Sequence, residues 1–206
     1  MKKIIPVVDR RLVLQSTLSA LVATCLLSAC APAKPIFQSV DLTGADYATG
    51  FSLKDHNGIL RTLKDFPGKV VVVFFGFTQC PDVCPTSMVE LAQVKKSLGV
   101  DGDKLQVVFI SVDPERDTPE ILKAYMTNFD PSFLALRPTQ PELAAVAKDF
   151  KIYYKKVDGS APGSYSMDHT AGSYVFDGKG RIRLFTRYGG GADILVSDIR
   201  QLIKGS

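Results

Sequence analysis

The sequence predicts an α/β fold: a central mixed sheet flanked by helices, with an extra N-terminal hairpin. Three observations carry this. Two near-continuous apolar runs, 70–75 and 105–112, have the Val/Phe/Ile-rich composition of strands buried on both faces. Each is followed by helix signals, so strand and helix alternate as in a parallel sheet. Two further extended segments flank the turn Asp177-Gly178-Lys179-Gly180 and close the sheet with an antiparallel hairpin.

The elements follow in order. Residues 36–50 show no clear period. Residues 51–55 alternate, His56-Asn57-Gly58 is a turn signal and 59–63 return, which makes a hairpin with His56 in a solvated turn. Residues 65–69 lead into the first central strand. Pro85 suits a first helical turn, Leu91, Val94 and Leu98 form a helical stripe, and Gly99 ends it. After the second central strand, Thr118-Pro119-Glu120 opens a helix to about residue 129: a capping hydroxyl, a proline, an acid. A short strand is expected at 133–136, a helix from Pro141 to about Phe150, and extended chain at 152–157. Residues 158–166 read as a surface loop. The hairpin occupies 170–176 and 181–188, and an amphipathic helix takes 193–203. This is the thioredoxin-like plan, without internal repeat or second domain.

Composition excludes one class. The formal charge of +4 falls to about +1 without residues 1–29, which hold Lys2, Lys3, Arg10 and Arg11 against Asp9. The remainder is not a polybasic nucleic-acid binder. Those 29 residues read as a targeting segment: a basic start, an apolar stretch, then Leu27-Ser28-Ala29 before Cys30. Small residues before a cysteine resemble a bacterial lipoprotein signal. The expected division is signal peptide 1–29, a lipidated Cys30 with a tether to residue 48, and a thioredoxin-like domain at 49–206. The product would face the periplasm, held to the envelope membrane by lipid. Cys25 would be discarded with the signal, leaving Cys80 and Cys84 as the thiols of the domain.

Cys80 and Cys84 follow a central strand, at the sheet rim where ligands bind. On a helix, positions i and i+4 share a face, so both sulfurs would meet one target. The helix start would favour thiolate over thiol. Three readings follow: a structural disulfide, dithiol–disulfide exchange, or a soft metal site. A bridge closing so short a loop stabilises little, and the spacing is C-x-x-x-C where thioredoxins have C-x-x-C. A metal needs more donors. Of two histidines, His169 falls where thioredoxin-like proteins carry a cis-proline facing the cysteine loop. Cys80, Cys84 and His169 would then offer two thiolates and one imidazole, a set suited to Cu(I). Cu(II) would want a further donor, such as Asp168, Asp82 or water; Met167 is a weaker candidate helper. The segment 113–118 shares the rim and reads either as loop-and-cap architecture or as groups that orient the ligands. Tyr153-Tyr154-Lys155-Lys156 reads as an edge strand rather than a docking face.

Three separated motifs carry a family resemblance: Thr78-Gln79-Cys80-Pro81-Asp82-Val83-Cys84-Pro85, then Asp113-Pro114-Glu115-Arg116-Asp117-Thr118, then Asp168-His169-Thr170. In this order they resemble the Sco/SenC family of thioredoxin-fold copper chaperones for cytochrome oxidase assembly. The resemblance implies a metallochaperone that takes copper, with other periplasmic copper carriers as candidate partners, and passes it to the copper-bearing subunit of cytochrome c oxidase. The competing expectation is a thiol–disulfide oxidoreductase using Cys80 and Cys84 to keep the cysteines of that subunit, or of other envelope proteins, reduced. A thiol peroxidase lacks its expected surround.

Overall fold

The computed structural model describes residues 35–205. The expected signal segment with Cys25, and Cys30 with the start of the expected tether, lie outside the described residues. The strands in chain order are β1 (Val40–Asp41), β2 (Ser52–Lys54), β3 (Leu60–Thr62), β4 (Val70–Gly76), β5 (Leu105–Ser111), β6 (Leu134–Leu136), β7 (Tyr154–Asp158), β8 (Tyr165–His169), β9 (Gly172–Phe176) and β10 (Ile182–Arg187). The helices are α1 (Val83–Leu98), α2 (Pro119–Thr127), α3 (Gln140–Asp149) and α4 (Ala192–Lys204).

Six strands form one mixed sheet in the order β1-β10-β9-β4-β5-β6. β4, β5 and β6 run parallel, while β9 joins β4 antiparallel and β10 and β1 continue outward. Every residue of β4 and β5 is buried, as their near-continuous apolar sequences predict. Phe74 and Phe75 point to opposite faces. Phe74 looks toward Leu91 of α1 and Leu195 of α4. Phe75 meets Phe150, at the end of α3, with ring centroids 5.2 Å apart. Helices therefore cover both faces, and the rim where β4 and β5 end is left for the site. Thr118 caps α2 through the Ile121 N–H, with Pro119 at its first position, as the sequence predicts.

Three local expectations change. β1 is two residues long, too short for a period to show, yet it pairs with β10. His56 is half-buried rather than solvated. Its backbone N–H donates to the Ala135 carbonyl at 2.9 Å, and its Nδ1 accepts from the Ala135 N–H at 3.2 Å. The β2–β3 hairpin lies along β6, whose outer edge would otherwise be unpaired. The hairpin turn is organised by buried Asp55, which accepts from the Asn57 and Ile59 N–H groups and pairs with Arg61 at 2.9 Å. The loop expected at 158–166 is shorter than predicted. Residues 165–169 form β8, paired antiparallel with β7, with His169 opposite Tyr154.

Candidate metal centre

Cys80 lies in the turn between β4 and α1, and Cys84 in the first turn of α1. The expected shared helix face is replaced by a fold-over of this turn. The helix begins only at Val83, and the Cys84 N–H points back to the Cys80 Sγ at 3.4 Å. Asp82 makes no side-chain cap hydrogen bond, so the sulfur takes a donor that a helix start leaves unsatisfied.

The Cys84 side chain is inaccessible and packs behind the end of β4. Gly76 makes room for it. A Cβ there would meet ring carbons of Phe74 and Phe109 at 2.8 Å and the Cys84 Sγ at 3.0 Å. Burial drives the Cys84 thiol well above its ordinary 9.0, and the neighbouring Cys80 and Asp117 push the same way. The direction at Cys84 is opposite to that expected from a helix start, because removal from water disfavours the thiolate.

His169 ends β8. Its Nδ1 lies 3.0 Å from the Thr170 carbonyl. A carbonyl only accepts, so Nδ1 carries the proton and Nε2 is left with its lone pair. That Nε2 lies 3.4 Å from the Cys84 Sγ. Edge-on packing against Phe74 and Phe77, with centroids at 6.2 and 5.9 Å, holds the ring. Burial lowers the imidazole below its ordinary 6.5, keeping it neutral near pH 7. The donor atoms of Cys80, Cys84 and His169 all lie within 4.8 Å of one another. A cleft of about 310 Å³ opens beside them, lined in part by Cys80, Asp82, Tyr153, Met167 and His169.

The other residues singled out divide. Met167 alternates with His169 on β8, is buried and lines the cleft. Asp82 and Asp168 are exposed at its rim. Residues 153–156 run into exposed β7, the edge strand expected. The segment 113–118 does more than cap a helix. Asp117, fully buried, accepts from the Thr78 hydroxyl at 2.6 Å, the Thr78 N–H at 3.2 Å and the Ser111 hydroxyl at 2.5 Å. It ties the cysteine turn to the end of β5. Arg137 in turn donates to the carbonyls of Asp117 and Pro114.

Sequence reasoning missed Gly76 and the individual part of Asp117. A glycine closing an apolar strand just before a cysteine turn is a legible sign of close approach. Tyr165-Ser166-Met167-Asp168-His169 also carries a period-2 signal, since the larger Tyr165, Met167 and His169 alternate with the small or charged Ser166 and Asp168, and the structure makes the first three the less exposed positions.

The SCO1/SenC family model matches residues 31–204. The SCO2-like protein of Rickettsia felis is 34% identical over 159 residues, 76% of this chain and 78% of that protein. The copper-bound structure of Bradyrhizobium japonicum ScoI is 41% identical with a TM-score of 0.68, covering 74% of this chain and 97% of that one. Copper-bound yeast Sco1 is 32% identical with a TM-score of 0.69, covering 76% and 88%.

Proposed function

Because the chain belongs to the SCO1/SenC family, we propose that it is a copper-binding assembly factor that holds one copper ion on Cys80, Cys84 and His169 and passes it to the copper site of cytochrome c oxidase. The single observation that carries this reading is the convergence of the three donor atoms within 4.8 Å. Two sulfurs and one nitrogen select a soft ion over magnesium, calcium or manganese. Structural zinc nearly always takes four ligands, one more than this set supplies. Copper is cargo here. The chain's part is to present Nε2 with its lone pair free, to release thiol protons on loading, and to leave one side of the site open through the cleft.

The same reading places the domain on the periplasmic side, anchored by lipid on Cys30, with the copper-bearing oxidase subunit as acceptor. The mass of the N-terminal peptide from membrane-extracted protein tests the anchor: an acylated Cys30 supports it, and an unprocessed Met1 removes it. The copper site is tested by X-ray absorption on copper-loaded protein, counting sulfur and nitrogen neighbours, beside Cys80→Ser, Cys84→Ser and His169→Ala. Unchanged copper content and neighbours in all three variants would reject the assignment.

A second reading has one observation in its favour: both thiols are free and adjacent. A dithiol reductase would need both cysteines yet tolerate His169→Ala. Disulfide turnover independent of Cys80 and Cys84 removes it.

A further inference from the structure

Arg116 is bound into a closed set of contacts. Its Nε pairs with Asp113, Nη1 donates to the Tyr165 carbonyl at 2.8 Å, and its guanidinium lies 3.6 Å from the centre of the Tyr165 ring. The Tyr165 hydroxyl returns to Asp113 at 2.9 Å. These contacts fix the start of β8, the strand that ends in His169, to the loop after β5. One further bond leaves the set: Nη1 also donates to Gln79 Oε1 at 3.0 Å. Gln79 is exposed and precedes Cys80 directly.

The two cysteines are therefore held differently. Cys84 is inside a helix, inaccessible and packed against the end of β4. Cys80 is half-buried in a turn. Asp117 restrains that turn at Thr78, two residues earlier; the Cys80 Sγ accepts only the long bond from the Cys84 N–H, and the Arg116–Gln79 bond ties down the residue directly before Cys80. The exposed position of the Arg116–Gln79 bond makes it easy for water or a docking partner to replace.

We infer that Arg116 is a positioning residue that gates Cys80: it holds the Cys80 turn to the β8 strand through Gln79, and release of that bond makes Cys80 the first protein ligand to leave during transfer. This deepens the copper reading and rests on it for the transfer step. In that step the bond from copper to the Cys80 sulfur breaks as a bond to an acceptor's thiolate forms. The ion keeps its oxidation state, and the freed Cys80 thiolate takes a proton from solvent. Cys84 and His169 keep the ion in place until the acceptor supplies its next ligand.

The test begins without copper. The reduced full chain is treated with iodoacetamide at fixed pH, and modification of each cysteine is followed by peptide mass, in the wild type, Gln79→Ala, Arg116→Met and Arg116→Lys. Modification of Cys80 should quicken about two- to tenfold in Gln79→Ala and Arg116→Met, the range one hydrogen bond spans, with Cys84 unchanged. Arg116→Lys keeps the charge but loses the planar fork, so it should behave as Arg116→Met does. Gln79 is exposed, so its variant keeps the test valid even where Arg116→Met is unstable. An unchanged Cys80 rate in Gln79→Ala, or equal quickening at both cysteines, overturns the inference. A second arm measures loss of Cu(I) from loaded protein to a thiol chelator, which should quicken in the same variants; no change there overturns the gating of transfer. If Cys80 alone quickens but the wild type takes up no copper, the restraint stands and the copper reading fails.

Discussion

The His169 Nε2 faces the Cys84 Sγ across 3.4 Å, and a bond from Nδ1–H to the Thr170 carbonyl holds the ring in that orientation. A nitrogen lone pair and a buried sulfur thus meet before any ion arrives. His169→Ala should remove the one nitrogen neighbour of bound copper and lower Cu(I) affinity by more than the roughly 10–100-fold typical of outer-shell partners. Competition against a calibrated chelator measures it. An affinity within twofold of the wild type would remove His169 from the ligand set.

Gly76 is the backing of the same site. In Gly76→Ala the new methyl would meet two aromatic rings and the Cys84 sulfur inside ordinary contact distance. Overpacking of this kind costs about 1–3 kcal/mol, which for a chain of this size lowers Tm by roughly 2–4 °C per kcal/mol. Copper affinity should fall as well, because the sulfur must shift. A variant with unchanged Tm and affinity would show that the strand end yields without cost.

Much of this was legible before folding. The runs at 70–75 and 105–112 could be little else than central strands, and both are buried along their whole length. The cysteine turn followed from its place at a strand end. His169 was found by its place in the fold plan rather than by its local pattern. The five residues of β8 follow a Gly/Ser/Pro-rich stretch, and this hid their alternation. His56 was misread because a turn histidine looks solvated until β6 is known to lie beside it. Burial of Cys84 could not be read either. A cysteine at a helix start has a lowered or raised pKa according to how much water reaches it, and that depends on Gly76 and on rings brought in by other strands.

The raised Cys84 thiol sets two pH dependences. Near neutral pH the free protein holds this proton, so loading with Cu(I) must expel it. Affinity should rise with pH by about one logarithmic unit per pH unit from this group alone between roughly pH 6 and 8. In the metal-free protein the sign reverses. The folded value lies above the unfolded 9.0, so the stability from the protonated thiol is full below pH 9.0 and is lost as pH rises toward the folded value. Urea midpoints at successive pH values should show this decline in the wild type and a shallower one in Cys84→Ala. Equal slopes in the two proteins would contradict it.

Asp117 joins the cysteine turn to β5 from inside the protein. Burial raises its carboxyl above the ordinary 3.8, while the hydrogen bonds from Ser111 and Thr78 act in the opposite direction. The charge is thus costly to bury, and its acceptors are hard to replace. Asp117→Ala strands the Thr78 and Ser111 donors and should cost about 1–3 kcal/mol for each group left unsatisfied. Asp117→Asn keeps one oxygen acceptor and drops the buried charge, so it should lose less stability. Both should loosen Thr78 and, through it, the turn that carries Cys80. Chemical denaturation ranks the stabilities, and amide hydrogen exchange at Thr78 and Gln79 reads the turn. If Asp117→Asn proves as damaging as Asp117→Ala, the negative charge itself is required, and the buried carboxylate is then a fixed part of the electrostatics around Cys84.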